Sequence, residues 1–197
     1  MQDIEHKINL FVQSVKIIQK NLTELGYKFQ NQESAVRNSD YNIEKMFVIL
    51  ENHVGNLPES IKILYRRIGS INFMGHHPSW SGCEYPDPLY IDPFEAAIEE
   101  LNIWLEEREL DSDFNENFRF PISPDFYHKE DVSGGLMYSI ELPNEDSDPL
   151  LLDEWHETTL LRYLGICLEW GGFPGLERDK TIHNWPIDKI KEGLSKT

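Results

Sequence analysis

The stretch LPESIKILYRRIGSINFMGHHPSWSGCEYPDPLYID, residues Leu57–Asp92, decides how the chain is organised. It opens with a short amphipathic helix pattern that ends at Gly69, and a strand pattern follows over residues 70–74. A loop rich in His, Pro and aromatic residues then fills 75–88, where the prolines exclude regular structure. A second strand at 89–91 leads into a long acidic helix. This helix–strand–loop–strand unit predicts the centre of an α+β domain.

The strongest helix pattern of the chain lies before this unit, over residues 3–25. Its apolar residues recur at alternating steps of four and three, which places on one stripe Ile4, Ile8, Phe11, Val15, Ile18, Leu22 and Leu25. Gly26 follows, the residue type that ends helices in the left-handed conformation. The near-heptad repeat fits packing on the chain's own domain or a coiled-coil seam with a second chain. The oligomeric state, monomer or dimer, therefore stays open.

The segment that joins this first helix to the main body is polar over residues 30–42 and predicts a loop. A helix is predicted for 43–53, and a third helix begins at about Pro58. Asp92 carries the signature of a helix start: an N-cap carboxylate, a proline, and Glu95 three residues on to return the capping bond. The sequence therefore predicts a helix that begins at Asp92.

The second half of the chain changes to strand patterns. Alternating apolar residues predict a strand at 118–122, and the Gly134-Gly135 pair predicts a tight turn between strands 125–132 and 136–142. A last long helix is expected from Glu154. The order predicts an α+β fold with a mixed, mainly antiparallel central sheet flanked by helices. We expect an N-terminal helix within 1–30, packed on or appended to a single domain at 43–197.

The charge of the chain is concentrated in its middle. The net charge is −17, and residues 84–161 alone carry 22 acidic and three basic side chains, which sum to −19. Such a block repels nucleic acid and membrane phosphates and attracts a basic partner, although it also fits a surface that only aids solubility. No apolar run is long enough for a bilayer span and no secretory signal pattern is present, so we expect a cytoplasmic protein.

The sequence contains no phosphate-binding glycine loop, no nucleophile elbow and no paired cysteine motif. Within the central loop, His76, His77 and Cys83 are residue types that bind zinc, but their spacing matches no recognised site. Cys167 lies on the apolar face of a predicted helix and is expected in the core. We therefore predict no catalytic residues and no cofactor, with a metal site in the loop as the weaker alternative.

Several segments resemble SMI1/KNR4-type proteins of the SUKH superfamily. The segment LPESIKILYRRIGSINF resembles the place where a leucine-proline pair opens a short helix before the first strand of these proteins. The later segments GLMYSIELP and LRYLGICLEWGGFPGLE are similar to family segments as well, so the likeness covers residues 43–178. The resemblance implies an α+β fold without known catalytic residues. Bacterial members include immunity proteins that bind and neutralise toxins, often nucleases, and eukaryotic members act as interaction scaffolds.

These observations together predict a non-enzymatic intracellular protein that binds another protein, as an immunity protein of a polymorphic toxin system does. We expect the binding surface to combine acidic groups with exposed aromatic residues, and its members are Trp80, Tyr85, Asp87, Glu95, Glu99 and Glu106. Two alternatives stay open. One is a small-ligand or metal-dependent enzyme that uses the loop His76–Asp87, and the other is a scaffold that dimerises through the first helix.

Overall fold

The computed structural model describes residues 2–31, 35–111, 113–178 and 184–195. Within these residues the helices are α1 Gln2–Glu24, α2 Ile43–Val54, α3 Glu59–Arg67, α4 Phe94–Leu110, α5 Leu160–Glu169 and α6 Ile187–Ile190. The strands are β1 Lys28–Phe29, β2 Val36–Arg37, β3 Ser70–Asn72, β4 Gly75–His76, β5 Tyr90–Ile91, β6 Phe118–Ser123 and β7 Tyr138–Leu142. The predicted α+β class and N-terminal helix are confirmed.

Helix α1 packs against the rest of the chain. Its apolar stripe is buried from Ile4 to Leu22, and it contacts α3, α5 and α6. The stripe and the apolar residues of the later elements form one continuous core. Because this core covers the stripe, the interpretation of α1 as a coiled-coil seam between two chains is wrong. Gly26 ends the helix as predicted, with a φ of 91°.

The strands form small antiparallel sheets. β2, β3 and β5 make one sheet with β3 in the middle, so the two predicted strands of the Leu57–Asp92 unit pair directly. β1 pairs with β4, and β6 pairs with β7. The predicted loop at 30–42 thus contains strand β2, while residues 32–34 lie outside the described residues. The backbone amide of Asp92 donates to the carbonyl of Ile122 and so joins the end of β5 to β6.

The predicted hairpin at 125–142 is wrong. Residues 128–130 form a 3-10 turn, and β7 pairs instead with β6, with Phe120 opposite Ile140. The Gly134-Gly135 pair lies in an exposed loop and does not join two paired strands. The partner of β7 is therefore a strand that ends 15 residues before β7 begins.

The start of the last long helix also differs from the prediction. Helix α5 begins at Leu160, and residues 154–157 form turns in which Glu157 has a φ of 52°. The side chain of Glu154 accepts hydrogen bonds from the amide and the ring Nδ1 of His156. These local bonds compete with helix formation and explain the later start. Cys167 is completely buried in α5, which confirms its predicted place in the core.

Gly175 is a point of close backbone approach that allows a test of the packing. A Cβ at this position would lie 2.1 Å from the carbonyl oxygen of Tyr85, whereas at Gly165 the nearest atom would be a flexible Arg162 nitrogen at 3.8 Å. We expect Gly175→Ala to lower the free energy of unfolding by about 2 kcal/mol or more in urea titrations. Gly165→Ala, inside α5, should raise it by about 0.5–1 kcal/mol. Equal effects of the two changes would contradict this packing.

Candidate functional site

The solvent-facing side of α4 combines acidic and apolar residues. The helix buries Phe94, Ala97 and Leu101, which fixes the opposite side toward solvent. Steps of four, four, three and four place on that outer strip Glu95, Glu99, Ile103, Glu106 and Leu110. Ile103 is 51% and Leu110 is 88% exposed. We call these five residues the α4 strip, and its three acids are the glutamates predicted from the sequence.

The acids of α4 are not neutralised by the protein itself. Among the described residues, no glutamate of α4 forms an ion pair. The single cation of the helix, Arg108, lies over the ring of Trp104 at 4.5 Å from its centroid. The α4 strip therefore presents a negative field to solvent, with two apolar side chains inside it.

A recess opens beside the C-terminal end of α4. It has a volume of about 370 Å³, and its lining includes Trp104, Arg108, Phe114, His53 and Pro143. The indole nitrogen of Trp104 donates to the carbonyl of Glu116 at 3.1 Å, so the ring edge is fixed. The recess beside α4 therefore has aromatic rings in its wall, as do pockets that receive an anchoring side chain of a partner protein.

Asp87, which was predicted in the binding surface, is buried and lies elsewhere. Its Oδ1 accepts from Lys129 Nζ at 2.5 Å and its Oδ2 accepts from the Tyr138 hydroxyl at 3.2 Å. The side chains of Asp87 and Lys129 are 1% and 0% exposed. Sequence patterns gave no sign of this pair, because Lys129 is an isolated base 42 positions away. The prediction that Asp87 contributes to an exposed surface is wrong.

Trp80 is also covered, and the expectation of an exposed indole is wrong. Its ring stacks on the His77 ring with 4.4 Å between the centroids, and the centroid of the Trp185 ring lies 4.9 Å away. The side chain is therefore half-buried against the core. Tyr85 is half-buried as well, and its ring packs edge-on against Tyr127 at 5.2 Å. These aromatic residues hold the central loop to the rest of the domain.

The alternative metal ligands have separate surroundings. His76 is exposed on β4, whereas His77 Nε2 lies 3.1 Å from the carbonyl of Leu25 and its Nδ1 accepts from the amide of Ser79. Cys83 Sγ lies 4.0 Å from the carbonyl of Gly175. In the described part of the chain, no group of three or more His, Cys, Asp or Glu side chains is arranged to hold a metal ion.

Asp92 lies one residue before the N-cap of α4, and its predicted role as the cap is wrong. Pro93 occupies the N-cap, and within the described residues this cap makes no side-chain hydrogen bond to the helix. The carbonyl of Asp92 accepts from the Tyr65 hydroxyl at 2.9 Å. Burial raises the pKa of the Asp92 carboxyl to about 7, although Lys129 opposes this shift. The capping box pattern failed because Pro93 itself sits at the N-cap, which leaves Asp92 outside the helix.

No family model, no curated protein and no solved structure matches the chain. The resemblance to the SUKH superfamily therefore stays a prediction. In the described residues, no helix combines the length and apolar character that crossing a membrane requires.

The raised pKa of Asp92 makes a prediction about stability and pH. The folded state holds the Asp92 proton up to about pH 7, whereas the unfolded state releases it near pH 4. Ionisation of Asp92 therefore costs folding free energy as the pH rises between these values. We expect Asp92→Asn to be more stable than the wild type at pH 8, by on the order of 2 kcal/mol because partial exposure reduces the full cost.

Urea unfolding at pH 4 and pH 8 measures this difference, which should vanish at pH 4. Asp146→Asn is the matched control, because Asp146 is exposed and its side chain makes no hydrogen bond among the described residues. An Asp92→Asn variant that is equally stable with the wild type at pH 8 would contradict the prediction.

The buried ion pair makes a second prediction. Lys129→Met leaves the Asp87 carboxylate buried without its cation, and we expect a loss of about 3–5 kcal/mol in the free energy of unfolding. Adding Asp87→Asn to that variant should restore a large part of the loss, because the remaining groups are neutral. Lys45→Met, at an exposed site of α2, is the control. A free energy of unfolding of Lys129→Met within about 1 kcal/mol of the wild type would contradict the interpretation that the Asp87–Lys129 pair stabilises the fold.

Proposed function

We propose that this chain is a non-enzymatic cytoplasmic protein that binds a basic protein through the α4 strip and neutralises it, as an immunity protein neutralises a toxin domain. The observation that carries the proposal is the combination on one helix face of three unpaired glutamates with exposed Ile103 and Leu110. Exposed acids steer a basic partner into contact, and the apolar side chains of Ile103, in the middle of the strip, and Leu110, at its end, supply affinity on docking. The resemblance to the SUKH superfamily supports the same role.

Two further features favour binding over catalysis. Asp87 of the central loop is bonded to Lys129 and Tyr138 inside the protein, so its carboxylate does not face solvent. Burial raises the pKa of the Cys167 thiol, which disfavours the thiolate form that nucleophilic catalysis requires. Asp87 and Cys167 thus stabilise the fold. The groups that face solvent on α4 are acidic and can contact a basic protein surface.

The direct test pairs this chain with the products of its neighbouring genes, one at a time. Expression of a toxic neighbour should arrest growth, and co-expression of this chain should restore it. The two proteins should also co-purify as a complex. A set of neighbours that includes no toxic product, or a toxic product that this chain neither binds nor neutralises, would refute the proposed function.

The electrostatic part of the proposal has its own prediction. The triple variant Glu95→Gln, Glu99→Gln, Glu106→Gln should bind the co-purified partner at least about tenfold more weakly at 50 mM salt. The reason is that the variant lacks the acids that attract the basic partner. Titration calorimetry at 50 and 500 mM salt measures both affinity and its salt dependence. The affinity of the wild type should fall with salt, and that of the variant should change less.

The matched control is Glu24→Gln, Glu157→Gln, Glu192→Gln. It removes the same three charges from exposed positions outside α4. Its affinity should stay within about twofold of the wild type, because these positions lie outside the helix proposed to contact the partner. Equal weakening by both triple variants would assign the effect to net charge alone and contradict a specific role of the α4 strip.

A further inference from the structure

The loop Glu130–Met137 is exposed at every residue and carries three apolar side chains. Val132 is 41%, Leu136 is 59% and Met137 is 39% exposed. Glu130 and Asp131 stand beside them, and neither forms an ion pair among the described residues. Three exposed apolar side chains within eight residues are a local concentration that is typical of interaction surfaces.

A single buried carboxylate holds both ends of this loop. Lys129 precedes the loop and bonds to Asp87 Oδ1, while Tyr138 follows it and bonds to Asp87 Oδ2. The Lys129 ammonium also lies over the Tyr138 ring, 4.9 Å from its centroid. Because the two ends are fixed to one group inside the core, the loop is closed at its base by charged and polar bonds.

A second carboxylate supports the loop from beneath. Asp125 Oδ1 accepts from the amide of Tyr127, and its Oδ2 bonds to the His128 ring. At Gly135, whose φ is 77°, a Cβ would lie 2.6 Å from Asp125 Cγ, so the loop backbone rests directly on this side chain. The amide of Val132 further donates to the carbonyl of Tyr127 at 3.0 Å.

From this geometry we propose that Glu130–Met137 is a preorganised docking loop that inserts Leu136 and Met137 into an apolar recess with a basic rim on the partner. This inference rests on the proposed function, since the occupant is the same basic protein that the α4 strip binds. Charge complementarity selects this occupant, because Glu130 and Asp131 stand directly before the apolar residues, and Lys129, the neighbouring cation, is paired with Asp87 in the core. Fixing the loop before binding removes the entropic cost of ordering it in the complex.

Photo-crosslinking in the native host tests the inference. Benzoylphenylalanine is placed in the full chain at position 136 in the loop, at position 99 in the α4 strip, or at the exposed position 48 of α2 as control. We expect positions 136 and 99 to capture one and the same protein, identified by mass spectrometry and carrying an excess of Lys and Arg. Position 48 should capture no such protein.

The possible outcomes separate the two proposals. Capture at 99 without capture at 136 overturns the docking loop and leaves the proposed function standing. Capture of a basic protein at 136 alone supports the loop and overturns the role of the α4 strip. Capture at neither position overturns both, and equal capture at all three positions overturns the specificity of the loop.

Affinity measurements on the captured protein complete the test. Leu136→Ser with Met137→Ser should weaken binding at least about tenfold with an unchanged melting temperature, whereas Val48→Ser with Ile49→Ser should leave affinity within about twofold. Tyr138→Phe removes only the hydroxyl bond to Asp87, so we expect the Val132 amide to exchange about fivefold faster. Unchanged affinity of the Leu136→Ser, Met137→Ser variant would overturn the docking loop. An unchanged rate of amide exchange at Val132 in Tyr138→Phe would overturn its preorganisation.

Discussion

The buried Asp87 carboxylate forms the interaction on which the loop Glu130–Met137 depends, because it bonds to the residues at both ends of that loop. Burying a carboxylate and an ammonium costs several kcal/mol per ion, and only close geometry with further hydrogen bonds offsets this cost. Asp87 meets that condition through Lys129 and Tyr138, and it does so from a left-handed backbone with a φ of 52°. The pair thereby ties the central loop of the sequence to the segment that contains β7. An apolar cluster would pack there without fixing which residues meet.

The acidic middle of the chain is folded against its own repulsion. Glu95 and Glu99 are neighbours on one helix face, and like charges at this spacing destabilise a helix by a few tenths of a kcal/mol. The apolar side of α4 compensates, because burying a Phe or Leu side chain contributes about 1.5–3 kcal/mol. The helix can therefore keep an unneutralised outer face at small cost. The unpaired acids of this face therefore reduce the free energy of unfolding only slightly, and their negative field attracts any cation that approaches.

Patterns with strong local periodicity were sufficient to predict that the long helices exist and which faces they bury, but they did not predict where α4 and α5 begin. The stripe of α1 and the termination at Gly26 follow from spacing alone, and so does the burial of Cys167 in α5. The pairing of β7 was not predictable in this way. Gly134-Gly135 favours a local hairpin, but residues 125–132 form no strand, and β7 pairs with β6 across the loop instead. The pairing of β7 with β6 therefore prevailed over the local turn preference.

The same difference between local patterns and long-range contacts explains why only part of the candidate site was predicted. The three glutamates of the α4 strip follow from helix periodicity, since surface position is a local property. The burial of Asp87 and Trp80 is a property of the whole fold. Trp80 is covered by His77 and by Trp185, which lies more than 100 positions later in the sequence. No window of neighbouring residues contains that information.

In the complex with a basic protein that we propose, the α4 strip and the loop Glu130–Met137 contribute different terms to the free energy of binding. Each exposed ion pair with a partner is worth about 0–1 kcal/mol and weakens in salt, so the α4 strip governs the rate and orientation of encounter. Leu136 and Met137 lose exposed apolar area on docking, at roughly 25 cal/mol per Å², and this gain does not depend on salt. In the proposed complex, the loop therefore adds an apolar contribution that persists in cellular salt, and its fixed base avoids an ordering cost on binding.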